Sequence, residues 1–188
     1  MKSSDVEILV VAGHEGSGEV HWQQRLIAKL SAAKLVEQDD WLYGSLSKAV
    51  ERLVEAVAQA TKPVIFVAHS AGCILVAHAV PELKSAGVLD KVKGAYLVSA
   101  PASGPLGASH GIDPLFNAIP MTPLPFTTLL VASSNDPFAT PEEQAALAKG
   151  WGAELVDAGA QGHINTASGH GPWPEGMMRF AGFLSKLK

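Results

Sequence analysis

The sequence predicts an α/β domain built on a doubly wound, mostly parallel sheet of about six strands flanked by helices. Three observations carry this. Short runs rich in Val, Ile and Leu alternate with helix-period segments along the chain, the order that implies right-handed crossovers and parallel pairing. Several runs, residues 64–68 among them, show no polar alternation, as expected of strands covered on both faces. The length of 188 residues matches one domain at about 100–200 residues each, so residues 1–188 read as a single unit large enough to need no disulfide or metal staple.

The elements follow in order. Residues 8–12 are the first strand, and 20–33 a helix with Trp22, Leu26, Ile27 and Leu30 on its apolar side. A weak strand falls near 35–37. Residues 46–60 form the clearest amphipathic helix, with Leu46, Val50, Leu53, Val54 and Val57 at helical spacing. The strand at 64–68 runs into a helix at 72–83, and 95–99 and 128–132 are two more apolar strands. Thr140-Pro141-Glu142-Glu143 starts a helix that runs to about Trp151, with Thr as N-cap, Pro at the first helical position and Glu closing a capping box. Residues 154–157 are the last strand and 174–187 the closing helix. Residues 101–125 hold six of the 12 prolines and read as an irregular stretch, too short for a second domain; a loop of this length in a compact domain is commonly functional.

Composition excludes several classes of function. Hydrophobic residues at 47% and charged residues at 17% exclude disorder. A formal net charge of −4 leaves no basic field for nucleic acid and no basic run for a membrane surface. One cysteine, Cys73, permits neither an internal disulfide nor a Cys/His zinc cluster, and it reads as a small buried hydrophobe. No metal or cofactor is expected. No Asp, Glu, Lys or Arg lies between Lys62 and Glu82, close to the roughly 20 residues that span a bilayer. Pro63, His69, Ser70, Gly72 and His78 interrupt that stretch, which therefore reads as buried strand, tight turn and buried helix. Asp5 and Glu7 precede the first apolar run, so no secretory leader is expected, and the protein is expected in the cytoplasm.

In doubly wound sheets the functional crevice lies beyond the carboxyl ends of the strands. At the third such end stands Val67-Ala68-His69-Ser70-Ala71-Gly72-Cys73. A strand passing directly into a helix through a serine is the nucleophile arrangement written G-x-S-x-G, in which the residues two before and two after the serine are small so that strand and helix can approach. Here they are Ala68 and Gly72; alanine at 68 adds one methyl. A capping serine in an ordinary strand-to-helix turn would look similar. A serine nucleophile needs a base and an orienting acid, in this architecture in the chain order Ser, Asp or Glu, His. Asp136 follows the 128–132 strand within Asn135-Asp136-Pro137-Phe138, and His163 follows the last strand within Gln161-Gly162-His163. Singly, Asp136 reads as an Asp-Pro turn and His163 as a loop histidine. Together, order, element type and sheet edge agree on a triad.

Ala68-His69-Ser70-Ala71-Gly72, Asp136-Pro137-Phe138 and Gly162-His163, with the loop Gly13-His14-Glu15-Gly16-Ser17-Gly18 and Trp22 after it, resemble the small serine hydrolases related to retinoblastoma-binding protein 9. The resemblance runs from the first strand to the last helix. It implies an α/β-hydrolase fold without a lid domain, a Ser70–Asp136–His163 triad and an esterase- or peptidase-type hydrolase; it supplies no substrate. Residues 165–176 map onto no shared catalytic role.

An oxyanion hole needs two backbone N–H groups. Ala71, at a helix N-terminus, and His14, after Gly13, are the candidates. Gly13, Trp22, His69 and Phe138 are candidate substrate-binding residues, although Trp22 also reads as core. His78 reads as a packed core histidine. Glycines after the first strand and Glu37 beyond the second invite a dinucleotide reading, but the spacing G-x-x-G-x-G is not the G-x-G-x-x-G fingerprint. No carboxylate pair suggests glycoside chemistry. The expected substrate is a small carboxylic ester with a short acyl chain, because the insert at 100–127 is short and proline-rich, with Leu115, Phe116, Ile119 and Met121 available to line one wall. An amide or peptide substrate is the near alternative, and a catalytically silent binding protein on the same fold the more distant one. The sequence assigns no protein partner.

Overall fold

The computed structural model describes residues 1–42, 44–102 and 113–188. The irregular stretch read at 101–125 therefore lies outside the described residues at 103–112, Pro105 included.

Six strands, β1 (Glu7–Val11), β2 (Ala33–Leu35), β3 (Val64–His69), β4 (Val92–Val98), β5 (Thr127–Ala132) and β6 (Glu154–Asp157), form one sheet in the order β2-β1-β3-β4-β5-β6. Every pairing is parallel. The intervening helices are α1 (Trp22–Lys29), α2 (Leu46–Gln59), α3 (Ala71–Ser85), α4 (Pro141–Trp151) and α5 (Pro174–Lys186). Because side chains alternate across a strand, Ile8, Val10, Ile65 and Val67 pack with α1 and α5, whereas Leu9, Val11, Phe66 and Ala68 pack with α2, α3 and α4. Both faces are thus covered, and β3 is buried at all six positions.

The first crossover places β2 on one side of β1, and the second places β3 on the other. The carboxyl ends of β1 and β3 therefore part at the topological switch point, where such sheets open a crevice.

Three boundaries differ most from the sequence reading. The first helix stops at Lys29, short of residue 33, because Ala33 is claimed by β1: it pairs with Ile8, and Ile8 N–H donates to the Ala32 carbonyl at 2.8 Å. The second strand accordingly lies at Ala33–Leu35, two residues earlier than its composition suggested. The fourth strand begins at Val92, with exposed Lys93 inside it, so a charged residue at its amino end hid its first residues. The Thr140 capping box forms as read: its hydroxyl accepts from Glu143 N–H at 3.2 Å, and the Glu143 carboxylate accepts from Thr140 N–H at 2.8 Å.

Candidate active site

Ser70 joins β3 to α3 with φ 53° and ψ −127°, a conformation costly for any residue with a Cβ. What holds it there is close packing. Ser70 N–H donates to the Val98 carbonyl at 3.0 Å. At Gly72 a Cβ would lie 2.5 Å from the Val11 carbonyl oxygen and 2.7 Å from that of Ala12, so only glycine lets α3 start this close to β1. Ala68 is fully buried against that same layer; its extra methyl is accommodated in the core. Gly13 makes a matching approach from β1: a Cβ there would stand 2.9 Å from Ser70 Cβ.

Ser70 Oγ lies 2.8 Å from His163 Nε2. The other ring nitrogen, Nδ1, lies 2.9 and 3.0 Å from the two Asp136 carboxylate oxygens. Since the carboxylate only accepts, Nδ1 carries the proton and Nε2 presents its lone pair to the hydroxyl. The Asp136 side chain is completely shielded from solvent and that of His163 is 7% exposed. Asp136 Oδ1 also accepts from Phe138 N–H at 3.0 Å, which fixes the plane of the carboxylate.

The two loops that carry these groups are tied together. Asn135 Oδ1 accepts from Gly162 N–H at 2.6 Å and from Ser133 Oγ at 3.0 Å, and Ser133 Oγ accepts from Gln161 N–H at 3.0 Å. Buried Gln144 donates to the Ser133 and Ala139 carbonyls and accepts from Ser133 N–H. Asn135, Ser133 and Gln144 were not singled out in the sequence; the adjacency of Asn135 to Asp136 was the one available signal. Gly162 at φ 61° and Ile164 at φ 46° turn the chain sharply on either side of His163.

Histidine 69 supports that turn from below. Its Nε2 lies 2.8 Å from the His163 carbonyl oxygen, an acceptor, so Nε2 is the protonated nitrogen. Its ring contacts those of His163 and His21 at centroid distances of 4.9 and 5.0 Å. Burial pushes its basicity well below that of a free imidazole, and a proton on His163 or His21 would lower it further. The His21 ring, also lowered by burial, to about 4, accepts from Gln23 N–H at 3.2 Å and caps α1.

A cleft of about 390 Å³ opens over Ser70 and His163. Of the candidate substrate-binding residues, Gly13, His69 and Phe138 line it, as does His14. Trp22 does not. Its indole is 3% exposed, donates to the Ile164 carbonyl at 2.9 Å and packs edge-on against His69 and Trp173, which draws it into the wall behind the cleft. His21, Asn165 and Thr166 take the lining positions instead, so residues 165–167, left without a role in the sequence, form one rim. Ala71 heads α3, where first-turn amides have no partner within the helix. His78 is only half-buried, and its Nε2 has no partner among the described residues. Glu37, the residue behind the dinucleotide reading, is exposed past the end of β2. Among the described residues no group of three or more His, Cys, Asp or Glu side chains is arranged to hold a metal ion, and no helix is long and apolar enough to cross a membrane.

Comparison with known proteins agrees with this architecture. The family described as Serine hydrolase matches residues 8–182. No curated protein matches the chain. Among solved structures, a YdeN-like hydrolase from Pectobacterium atrosepticum is 29% identical, with a TM-score of 0.81 over 96% of this chain and 91% of that one. The ydeN gene product of B. subtilis is 19% identical, with a TM-score of 0.69 over 96% and 99%. A hydrolase of the alpha/beta superfamily from Xanthomonas campestris is 15% identical, with a TM-score of 0.67 over all of both chains. The fold is the α/β-hydrolase fold.

Proposed function

This chain belongs to the serine hydrolase family, and we propose that it cleaves short-chain carboxylic esters through an acyl-enzyme on Ser70, as expected of a cytoplasmic relative of the retinoblastoma-binding protein 9 group. The observation that carries the reading is the unbroken line from Ser70 Oγ to His163 Nε2 to Asp136 at 2.8 and 2.9 Å.

Ser70 Oγ attacks the ester carbonyl as His163 Nε2 takes its proton. The C–Oγ bond forms, and the carbonyl oxygen becomes an oxyanion. Ala71 N–H and His14 N–H donate to it, each donor of this kind being worth about 10²–10³ in rate. Asp136 stabilises the imidazolium. The tetrahedral intermediate collapses, the C–O bond to the alcohol breaks, and His163 returns its proton to the leaving oxygen. Water then attacks the acyl-Ser70 ester with His163 again as base, releasing the carboxylic acid and regenerating the serine. Amide cleavage would use the same groups, and a silent binding protein would use none of them.

The test is steady-state hydrolysis of p-nitrophenyl acetate and the matched p-nitroanilide by wild type and Ser70→Ala. Ester turnover that Ser70→Ala abolishes supports the reading. Turnover of the anilide alone would make it an amidase; unchanged ester turnover in Ser70→Ala would overturn it.

A further inference from the structure

Two cavities meet at the Gly13–His14 turn, and they differ in size and chemistry. The larger is the cleft over Ser70 and His163, whose walls include His21, Asn165, Thr166 and Glu15. The smaller, about 70 Å³, touches Gly13, His14 and Ala71 but neither Ser70 nor His163, and its lining includes Ala12, Ala49, Leu75 and Phe116. Gln38, Asp39, Asp40, Ser45 and Lys48 also border it; of these, Asp39 pairs with Arg52 at 2.6 Å and Lys48 with Glu51 at 2.7 Å.

The proposed chemistry assigns a side to each half of the substrate. His163 must return a proton to the leaving oxygen, so the alcohol lies on the His163 side. The acyl group must leave the carbonyl in another direction, with its oxygen against Ala71 and His14. The smaller, mainly apolar cavity borders those two residues and touches neither Ser70 nor His163. At about 10–15 Å³ per water-sized position, its roughly 70 Å³ amounts to about five to seven such positions, room for a short acyl chain only. The alcohol side has donors and acceptors in its walls. His21 Nδ1 is occupied as an acceptor, so its Nε2 carries the proton, and His21 is a neutral donor at neutral pH. Asn165 and Thr166 stand at the rim, and among the described residues the carbon-rich side chains there are Phe138 and Ala167.

Resting on the esterase reading above, the geometry points to a substrate that joins a small apolar acyl group, acetyl to butyryl, to a bulky hydroxyl-rich alcohol such as a sugar or polyol. The enzyme is a deacylase of polar alcohols, with the acyl group held at Leu75 and Phe116.

Two substrate series and two variants test this, after a fluorophosphonate has titrated active Ser70. Across p-nitrophenyl acetate, butyrate and octanoate, kcat/KM should rise by up to about fourfold per methylene that finds apolar contact, then fall beyond butyrate. An acetylated methyl glucoside should be cleaved faster than octyl acetate. Phe116→Ala should raise the octanoate-to-butyrate ratio by about fifteenfold, the value of two accommodated methylenes. Ala49→Leu, at a half-buried helix position, should lower the butyrate-to-acetate ratio about fourfold, and it carries the test if Phe116→Ala does not fold. Labelled, active enzyme that prefers octanoate or octyl acetate, or acyl ratios unmoved by both variants, would overturn this inference alone. No Ser70 labelling and no ester turnover would overturn the esterase reading and this inference with it.

Discussion

Replacing Asp136 by asparagine changes one group and, through the hydrogen bonds around it, dictates a tautomer. Asp136 Oδ1 accepts from both Phe138 N–H and His163 Nδ1, while Oδ2 faces Nδ1 alone at 3.0 Å. An asparagine must keep its oxygen at the Oδ1 place, because Phe138 N–H can only donate. Its amide nitrogen then stands 3.0 Å from Nδ1 as a donor, and His163 can satisfy it only by moving its proton to Nε2. The nitrogen facing Ser70 Oγ then has no lone pair for the hydroxyl proton. Such a substitution costs about 10⁴ in kcat, or about 5.4 kcal/mol of transition-state stabilisation, with the fold retained because the side chains are isosteric. The assay is kcat on p-nitrophenyl acetate, with circular dichroism and thermal unfolding to verify folding. Asp157→Asn is the control: Asp157 is exposed and accepts from Gly159 N–H at 2.7 Å, so its loss should leave kcat within about twofold, as for surface substitutions generally. Folded Asp136→Asn that keeps more than about a tenth of wild-type kcat would refute the tautomer argument.

Three further outcomes follow. His69→Leu removes the donor to the buried His163 carbonyl, at a cost of about 1–3 kcal/mol, and should lower kcat per titrated site more than it raises KM; His69→Gln should restore much of the loss, and equal loss in both would mean that the ring itself, not its N–H, positions the loop. Gly72→Ala drives a Cβ to 2.5 Å from the Val11 oxygen and should lower the unfolding temperature by about 3–10 °C, from about 1–3 kcal/mol of overpacking; a midpoint within about 1 °C of wild type would show that the elbow has slack. His21 and His69 are held neutral in the fold, His21 down to about 4 from 6.5, so the unfolded chain binds more protons below pH 6.5. The stability they permit is complete above that value and is lost as pH falls towards 4. Denaturant midpoints that rise between pH 7 and pH 5 would contradict this.

Much of the fold and the core of the site were legible because both depend on local patterns. Strands covered on two faces must be apolar throughout, and a serine pinned between strand and helix needs small neighbours, so residues 64–72 carried their own signature. Ser70, Asp136 and His163 could be linked because strand ends converge on one edge of a parallel sheet. What could not be read depends on partners distant in sequence. Ala33–Leu35 has little strand character of its own and is a strand because β1 pairs with it. Trp22 left the cleft for a hydrogen bond to Ile164, 142 residues away. Asn135 binds Gly162, 27 residues on, and nothing local to either residue announces the bond. Likewise the small cavity beside Ala71 is assembled from helices and loops that meet only in the folded chain.

The central claim, that Ser70 is the nucleophile activated by His163, is tested most directly by treating the protein with a fluorophosphonate and locating the adduct by peptide mass spectrometry. We expect one phosphonyl group per chain, on Ser70, and no adduct in His163→Ala on the same timescale. An adduct on another serine, or labelling of Ser70→Ala at the wild-type rate, would contradict the account.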